Sequence, residues 1–171
     1  TNVAPIARTE FGLANNPATA NGSKASAPTY KLEGPAVYDL VFLDGHYSSE
    51  LSSPAAGPSG VTAASMASAA LDNAFNLEGQ VGRYAPADDD GFAALNTAFL
   101  HDGAYIHVAD GHAEKVVVRL SYITVDGTEP KVTYPRTLIV AGANTDITVV
   151  ESYAGPKDRV YFTNAVTEIA V

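Results

Sequence analysis

Cysteine is absent from the 171 residues. That excludes a disulfide framework, a thiolate nucleophile, and any Cys-ligated zinc or iron–sulfur site built by this chain alone. Basic residues are scarce: ten Lys plus Arg stand against nineteen Asp plus Glu, a formal net charge of −9. Phosphate contacts need a basic face, so this balance argues against a direct hold on nucleic acid and against anionic membrane surfaces. No apolar run approaches the roughly 20 residues that cross a bilayer. No basic segment followed by an apolar one marks a secretory signal. The chain opens on Thr1 rather than Met, consistent with processing. In the absence of a signal, the expected compartment is the cytoplasm.

What is present is a globular composition, 46% hydrophobic, at a length suited to one core of ordinary size. Residues 1–35 are weakly patterned, with a turn signal at Ala14-Asn15-Asn16-Pro17 and an Ala/Ser/Asn/Gly-rich stretch from Ala18 to Pro28. They read as a tether. Residues 36–103 read as an α+β region. Val37–Leu43 is β-prone, Asp44-Gly45 is a hairpin-favouring turn, and His46-Tyr47 is a return strand. Ser52–Gly60 is a Pro/Gly loop. From Val61 to Phe75 a short strand leads into a helix, with Val61, Met66, Ala70 and Leu71 on one side. Asp88-Asp89-Asp90 precedes a helix whose Phe92, Leu95 and Phe99 share one face. Acidic residues there favour the helix dipole by about 0.3–1 kcal/mol each.

Beyond Asp102-Gly103 the pattern is strands alone: Ala104–Val108, Val116–Thr124, Thr137–Val140, Ile147–Tyr153 and Val160–Val171. Without intervening helices a doubly wound α/β fold is disfavoured, and a sandwich or a β-helix remains. Irregular loop lengths beside short strands favour the β-helix. Residues 104–171 are then its start, with Ile139, Ile147, Val149, Phe162, Val166 and Ile169 inward and Asn144 and Asn164 at turns or in ladders. The last run, with Glu168-Ile169-Ala170-Val171 still strand-like, implies an open edge prone to self-association.

Several constellations invite a chemical reading. His101, Asp102, His107 and His112 fall within twelve residues, yet they lack an i, i+2 or i, i+4 His pair, and a bland placement at a helix end, strand and turn is preferred to a metal site. Asp88-Asp89-Asp90-Gly91 lacks the alternating acidic spacing of a calcium loop. Glu151 and Glu168 could serve glycoside hydrolysis only if they faced each other across a cleft roughly 5–10 Å wide. Ser48, Ser49, Ser52 and Ser53 near His46 lack a nucleophile elbow, and Gly57-Pro58-Ser59-Gly60 lacks the Lys of a phosphate loop. No residue is therefore assigned a catalytic, cofactor-binding or metal-binding role.

Four blocks carry a family resemblance. Phe42-Leu43-Asp44-Gly45-His46 through Glu50-Leu51-Ser52, then Phe92-Ala93-Ala94-Leu95-Asn96-Thr97-Ala98-Phe99 with Asp102-Gly103, resemble stretches of the SufD subunits of the SUF iron–sulfur cluster assembly system. Pro135-Arg136-Thr137-Leu138-Ile139-Val140 with Val149-Val150-Glu151 is a third block, and Tyr161-Phe162-Thr163-Asn164-Ala165-Val166-Thr167-Glu168-Ile169 a fourth. The SufB paralogue shares the last two in part. The resemblance covers the N-terminal part of such a protein. It implies a mainly β fold: a single-stranded, truncated right-handed parallel β-helix entered from a small helical and hairpin region. It also implies a non-catalytic scaffold role, with a SufB-like subunit and a SufC-like ATPase as partners. The cluster would be assembled on the complex, with no cofactor held by this chain. The family's ATPase-docking segment and its late His have no counterpart here, and no functional residue is carried over. A carbohydrate-binding or carbohydrate-active β-helix module is the alternative, disfavoured for acidic polysaccharides by the −9 charge.

Overall fold

The computed structural model describes residues 3–14, 37–53, 60–71, 77–125, 127 and 129–171. Most of the tether reading, the loop at 54–59 and the helix reading at 72–76 lie outside the described residues. The chain is mainly β. After a one-turn helix α1 (Ala4–Arg8) and the two-residue β1 (Gly12–Leu13), β2 (Val37–Leu43) turns at Asp44-Gly45 into β3 (His46–Tyr47). Both turn residues have positive φ, 49° and 84°, the backbone that Asp tolerates and Gly favours in a tight hairpin. Next come β4 (Val61–Ser65) and α2 (Met66–Ala70), a 3-10 turn at Leu77–Gly79, and α3 (Gly91–Ala98). Strands then follow without helices: β5 (Gly103–Val108), β6 (Val116–Ile123), β7 (Lys131–Thr133), β8 (Arg136–Ala141), β9 (Ile147–Ala154), β10 (Tyr161–Thr163) and β11 (Val166–Ala170).

They form three sheets, in the orders β3-β2-β6-β9, β1-β7-β10 and β11-β8-β5-β4. Here the expected single-stranded, right-handed parallel β-helix is corrected: the sheets are not a solenoid and mix parallel with antiparallel strands. β3 lies antiparallel on β2 and β4 antiparallel on β5, so two of the three sheets are mixed. The cause of the first is local: a two-residue turn can only return the chain antiparallel. The remaining pairings are parallel, with Phe42 beside Tyr122, Tyr122 beside Tyr153, Ile106 beside Ile139 and Ile139 beside Ile169. Two further corrections follow. Lys131–Thr133, unassigned from sequence, is the central strand of its sheet. The single run expected over Val160–Val171 is two strands broken at Asn164-Ala165.

The main core lies between the first and third sheets. β2 supplies Leu40 and Phe42, β5 Ile106 and Val108, β6 Val118, Leu120 and Tyr122, and β8 Ile139. Ile147 and Val149 pack against it from the edge. Strand alternation sends Tyr105 and Leu138 to the other face of the third sheet, where Met66 and Ala69 of α2 and Leu77 cover them. Burying side chains of this size contributes about 1.5–3 kcal/mol each. Helix faces differ from their expected ones. On α2, Met66 and Ala69 point inward while Leu71 is almost fully exposed. On α3, Ala93 and Asn96 are buried and Phe92, Leu95 and Phe99 are exposed.

Candidate functional site

α3 turns a polar residue inward because a buried arginine waits for it. Arg136 opens β8 and has no exposed surface. Its Nε and Nη2 donate to Glu168 Oε1 at 2.8 and 2.6 Å. Nη1 donates to Asn96 Oδ1 and Thr97 Oγ1, each at 3.0 Å, and Nη2 also donates to the Ala85 carbonyl at 3.3 Å. The guanidinium is thus satisfied on all sides, the condition under which a buried cation is tolerated. Glu168, equally buried on β11, accepts further N–H groups from Gly82, Tyr84 and Ala85. Burial alone would raise its pKa. The Gly82 and Tyr84 N–H groups and the hydrogen bonds and charge of Arg136 outweigh burial, and the carboxyl sits below its usual range.

Two asparagines complete the junction. Asn96 Nδ2 donates to the carbonyls of Pro135 (2.9 Å) and Asn164 (2.8 Å), and Asn164 Nδ2 donates to the Phe92 carbonyl (2.8 Å). The approach of β5 to β8 is equally tight: a Cβ on Gly103 would lie 2.0 Å from the Arg136 carbonyl oxygen. Asn96, Thr97 and Gly103 come from the second of the blocks that carry the resemblance, Pro135 and Arg136 from the third, Asn164 and Glu168 from the fourth. What looks like a scattered signature in sequence is one buried polar network in space.

A second set of carboxylates serves the first block. Asp44, in the hairpin turn, accepts from the Val125 N–H and from Lys131 Nζ at 2.8 and 2.9 Å. Asp102 Oδ2 accepts from the Tyr47 N–H at 3.2 Å, and its Oδ1 accepts from Ser65 Oγ and from the N–H groups of Ala67 and Gly103. Asp90 caps α3, accepting from the N–H groups of Phe92 and Ala93.

The sequence-level constellations are dispersed accordingly. His101, Asp102, His107 and His112 do not assemble: Asp102 is saturated by the donors above, His107 stacks on Tyr105, and His112 buries an Nε2 with no hydrogen-bond partner among the described residues. No group of three or more His, Asp or Glu among the described residues is arranged to hold a metal ion. Glu151 and Glu168 are not a pair across a cleft. Glu168 is sealed with Arg136, whereas Glu151 accepts from the hydroxyls of Tyr153 and Thr167. The carbohydrate reading thereby loses its carboxylates. Ser52 donates its hydroxyl to the Ser48 carbonyl and accepts from the Val41 N–H, a loop brace. Of the acidic run only Asp90 acts on α3, as its N-cap; no acidic residue lies in the helix's first turn, where the dipole argument put them. Of the expected inward residues, Ile139 is buried, Phe162 instead contacts the rings of Phe11 and Phe92, and Ile169 is exposed. Asn144 does take a turn with positive φ, 57°.

What sequence reasoning missed is the joint role of Asn96, Arg136 and Glu168. The available signal was an Arg and a Glu embedded in otherwise apolar strand runs, Leu138-Ile139-Val140 and Val166-Thr167-Glu168-Ile169. One outermost strand from each sheet is found in β9, β10 and β11, which follow one another in the chain. Each has one neighbour among the described strands, and Tyr153, Tyr161 and Ile169 on them are exposed. Among the described residues no helix is long and apolar enough to cross a membrane.

Comparison with known proteins agrees with the four blocks. The model of the SufBD protein N-terminal region matches residues 1–120. An iron–sulfur cluster assembly SufBD family protein from Synechocystis sp. is 30% identical over 138 residues, which cover 76% of this chain and 30% of that relative. The chain therefore spans about a third of the length of the curated relative it matches. With the family model covering well over half of the residues, the chain belongs to the SufBD family.

Proposed function

We propose that the chain acts in iron–sulfur cluster assembly as a non-catalytic scaffold component. The observation that carries this reading is the saturation of its signature residues. Asn96, Asp102, Arg136, Asn164 and Glu168 spend their hydrogen bonds on one another and on backbone groups, which suits holding a shape and leaves no nucleophile–base pair among them. These 171 residues hold no cysteine, so in this reading thiolate ligands for a cluster come from outside them. Membership of the SufBD family supports the pathway. The partners in this reading are a SufB-like subunit and a SufC-like ATPase, the cluster is a product of the complex, and the compartment is the cytoplasm.

The binding surface in this reading is the end formed by β9, β10 and β11. Edge strands present unpaired N–H and C=O groups, and these carry exposed Tyr153, Tyr161 and Ile169. Strand addition there would pair the backbone and bury the rings. With no partner present, the same edge supports self-association. The test is co-purification of the intact protein with SufB-like and SufC-like subunits. Retention that Ile169→Lys and Tyr153→Lys reduce at least tenfold is the expected result. Failure to retain either subunit overturns the reading.

A further inference from the structure

The fold brings together two histidines that sequence spacing keeps 55 residues apart. His46 is the first residue of β3, and His101 lies between α3 and β5. Their rings are 6.0 Å apart, centroid to centroid, at 27° to each other. Both line the mouth of a small cleft with Asp44, Thr133 and Tyr134. Neither ring forms a hydrogen bond to a described residue, so its nitrogens are available as donors to an ion. Asp102 holds the two in place. Its carboxylate accepts the N–H of Tyr47, the residue after His46, while it is itself the residue after His101. Because that carboxylate is buried and also fixed by Ser65, Ala67 and Gly103, the two imidazoles stand on one rigid brace rather than on independent loops.

We infer that His46 and His101 form a two-imidazole site for a divalent transition-metal ion, with water filling the remaining positions and Asp102 as the positioning residue. Imidazole suits zinc, nickel, copper and iron, whereas carboxylate and carbonyl sets suit calcium and magnesium. Metal–nitrogen bonds of about 2.0–2.1 Å place two coordinated ring centroids about 5–6 Å apart across one ion. The observed 6.0 Å spacing falls at the upper end of that range. Asp44 is not offered as a third ligand, because Lys131 and the Val125 N–H occupy it. The site stands apart from the β9–β11 end and does not depend on the scaffold reading.

The chain has four histidines, so each imidazole can be followed separately by NMR. Titration of the intact protein with Co2+ is expected to broaden His46 and His101 first, with His107 and His112 unaffected at one equivalent. His46→Ala and His101→Ala are each expected to weaken Zn2+ binding by calorimetry at least tenfold, and His107→Ala to leave it unchanged. Asp102→Asn is expected to weaken it with both rings intact. Uniform broadening of all four rings, or Zn2+ binding that survives the double change of His46 and His101, overturns the site. Circular dichroism of each variant confirms that the fold persists.

Discussion

The interior and the edge strands of this molecule differ, and the same residue types behave differently on the two. In the third sheet three isoleucines sit side by side across three strands. Ile106 is 0% exposed, Ile139 7% and Ile169 54%. In the first sheet Phe42 and Tyr122 stack at 4.9 Å and Tyr122 and Tyr153 at 5.4 Å, with exposures of 0, 5 and 46%. Strand position explains the gradient: Ile169 and Tyr153 stand on the edge strands β11 and β9, whereas Ile106, Ile139, Phe42 and Tyr122 stand on interior strands. Each interior strand is flanked on both sides, whereas no described strand lies beyond β9 or β11. Under the proposed scaffold reading, these exposed edge-strand side chains are the binding surface.

The sharpest way to break this comparison is at the polar junction, which ties α3 to the two strands leading to the open end. Glu168→Ala strands a buried guanidinium and is expected to cost about 3–5 kcal/mol, read as a lowered urea midpoint. The core gradient itself comes next. Ile139→Ala is expected to cost about 2–5 kcal/mol and Ile169→Ala less than about 1 kcal/mol in the protein alone. Equal losses would remove the distinction between interior and edge strands. Asp90→Ala, which takes the cap from α3, should cost about 1 kcal/mol.

Acid should act on the junction with a defined sign. The Glu168 carboxyl has a lower pKa folded than unfolded. Its contribution is complete above the unfolded value, near pH 4.3, and is lost as pH falls through the folded one. A urea midpoint that falls on acidification below about pH 4 is expected, and Glu168→Gln should flatten that fall. The smallest effect on stability belongs to Ile169→Lys. It should leave the urea midpoint nearly unchanged while abolishing concentration-dependent association in sedimentation velocity.

Local features were legible before the fold was known. Asp44-Gly45 announced its hairpin because turn chemistry is set within four residues, and Asp90 announced its helix because a cap acts on the next turn. Non-local features were not. The Phe92, Leu95 and Phe99 stripe suggested an inward face, but the deciding partner of α3 is Arg136, 40 residues beyond Asn96. Periodicity cannot weigh a buried guanidinium it cannot see. β7 was missed because three residues beginning with Lys131 carry too little pattern, and its place comes from pairing with β1 and β10. The antiparallel entry of β4 on β5 was equally hidden, since strand propensity has no direction. Of the chemistry, the identities of His101 and Asp102 were visible, but the partner that matters to His101 is His46.

Amide hydrogen exchange of the protein alone and bound to a SufB-like subunit tests the central claim most directly. Protection gained over Ile147–Ala154, Tyr161–Thr163 and Val166–Ala170, with α2 and α3 unchanged, is the predicted result. Protection gained over α3 and the hairpin, with those three strands unaltered, would contradict it.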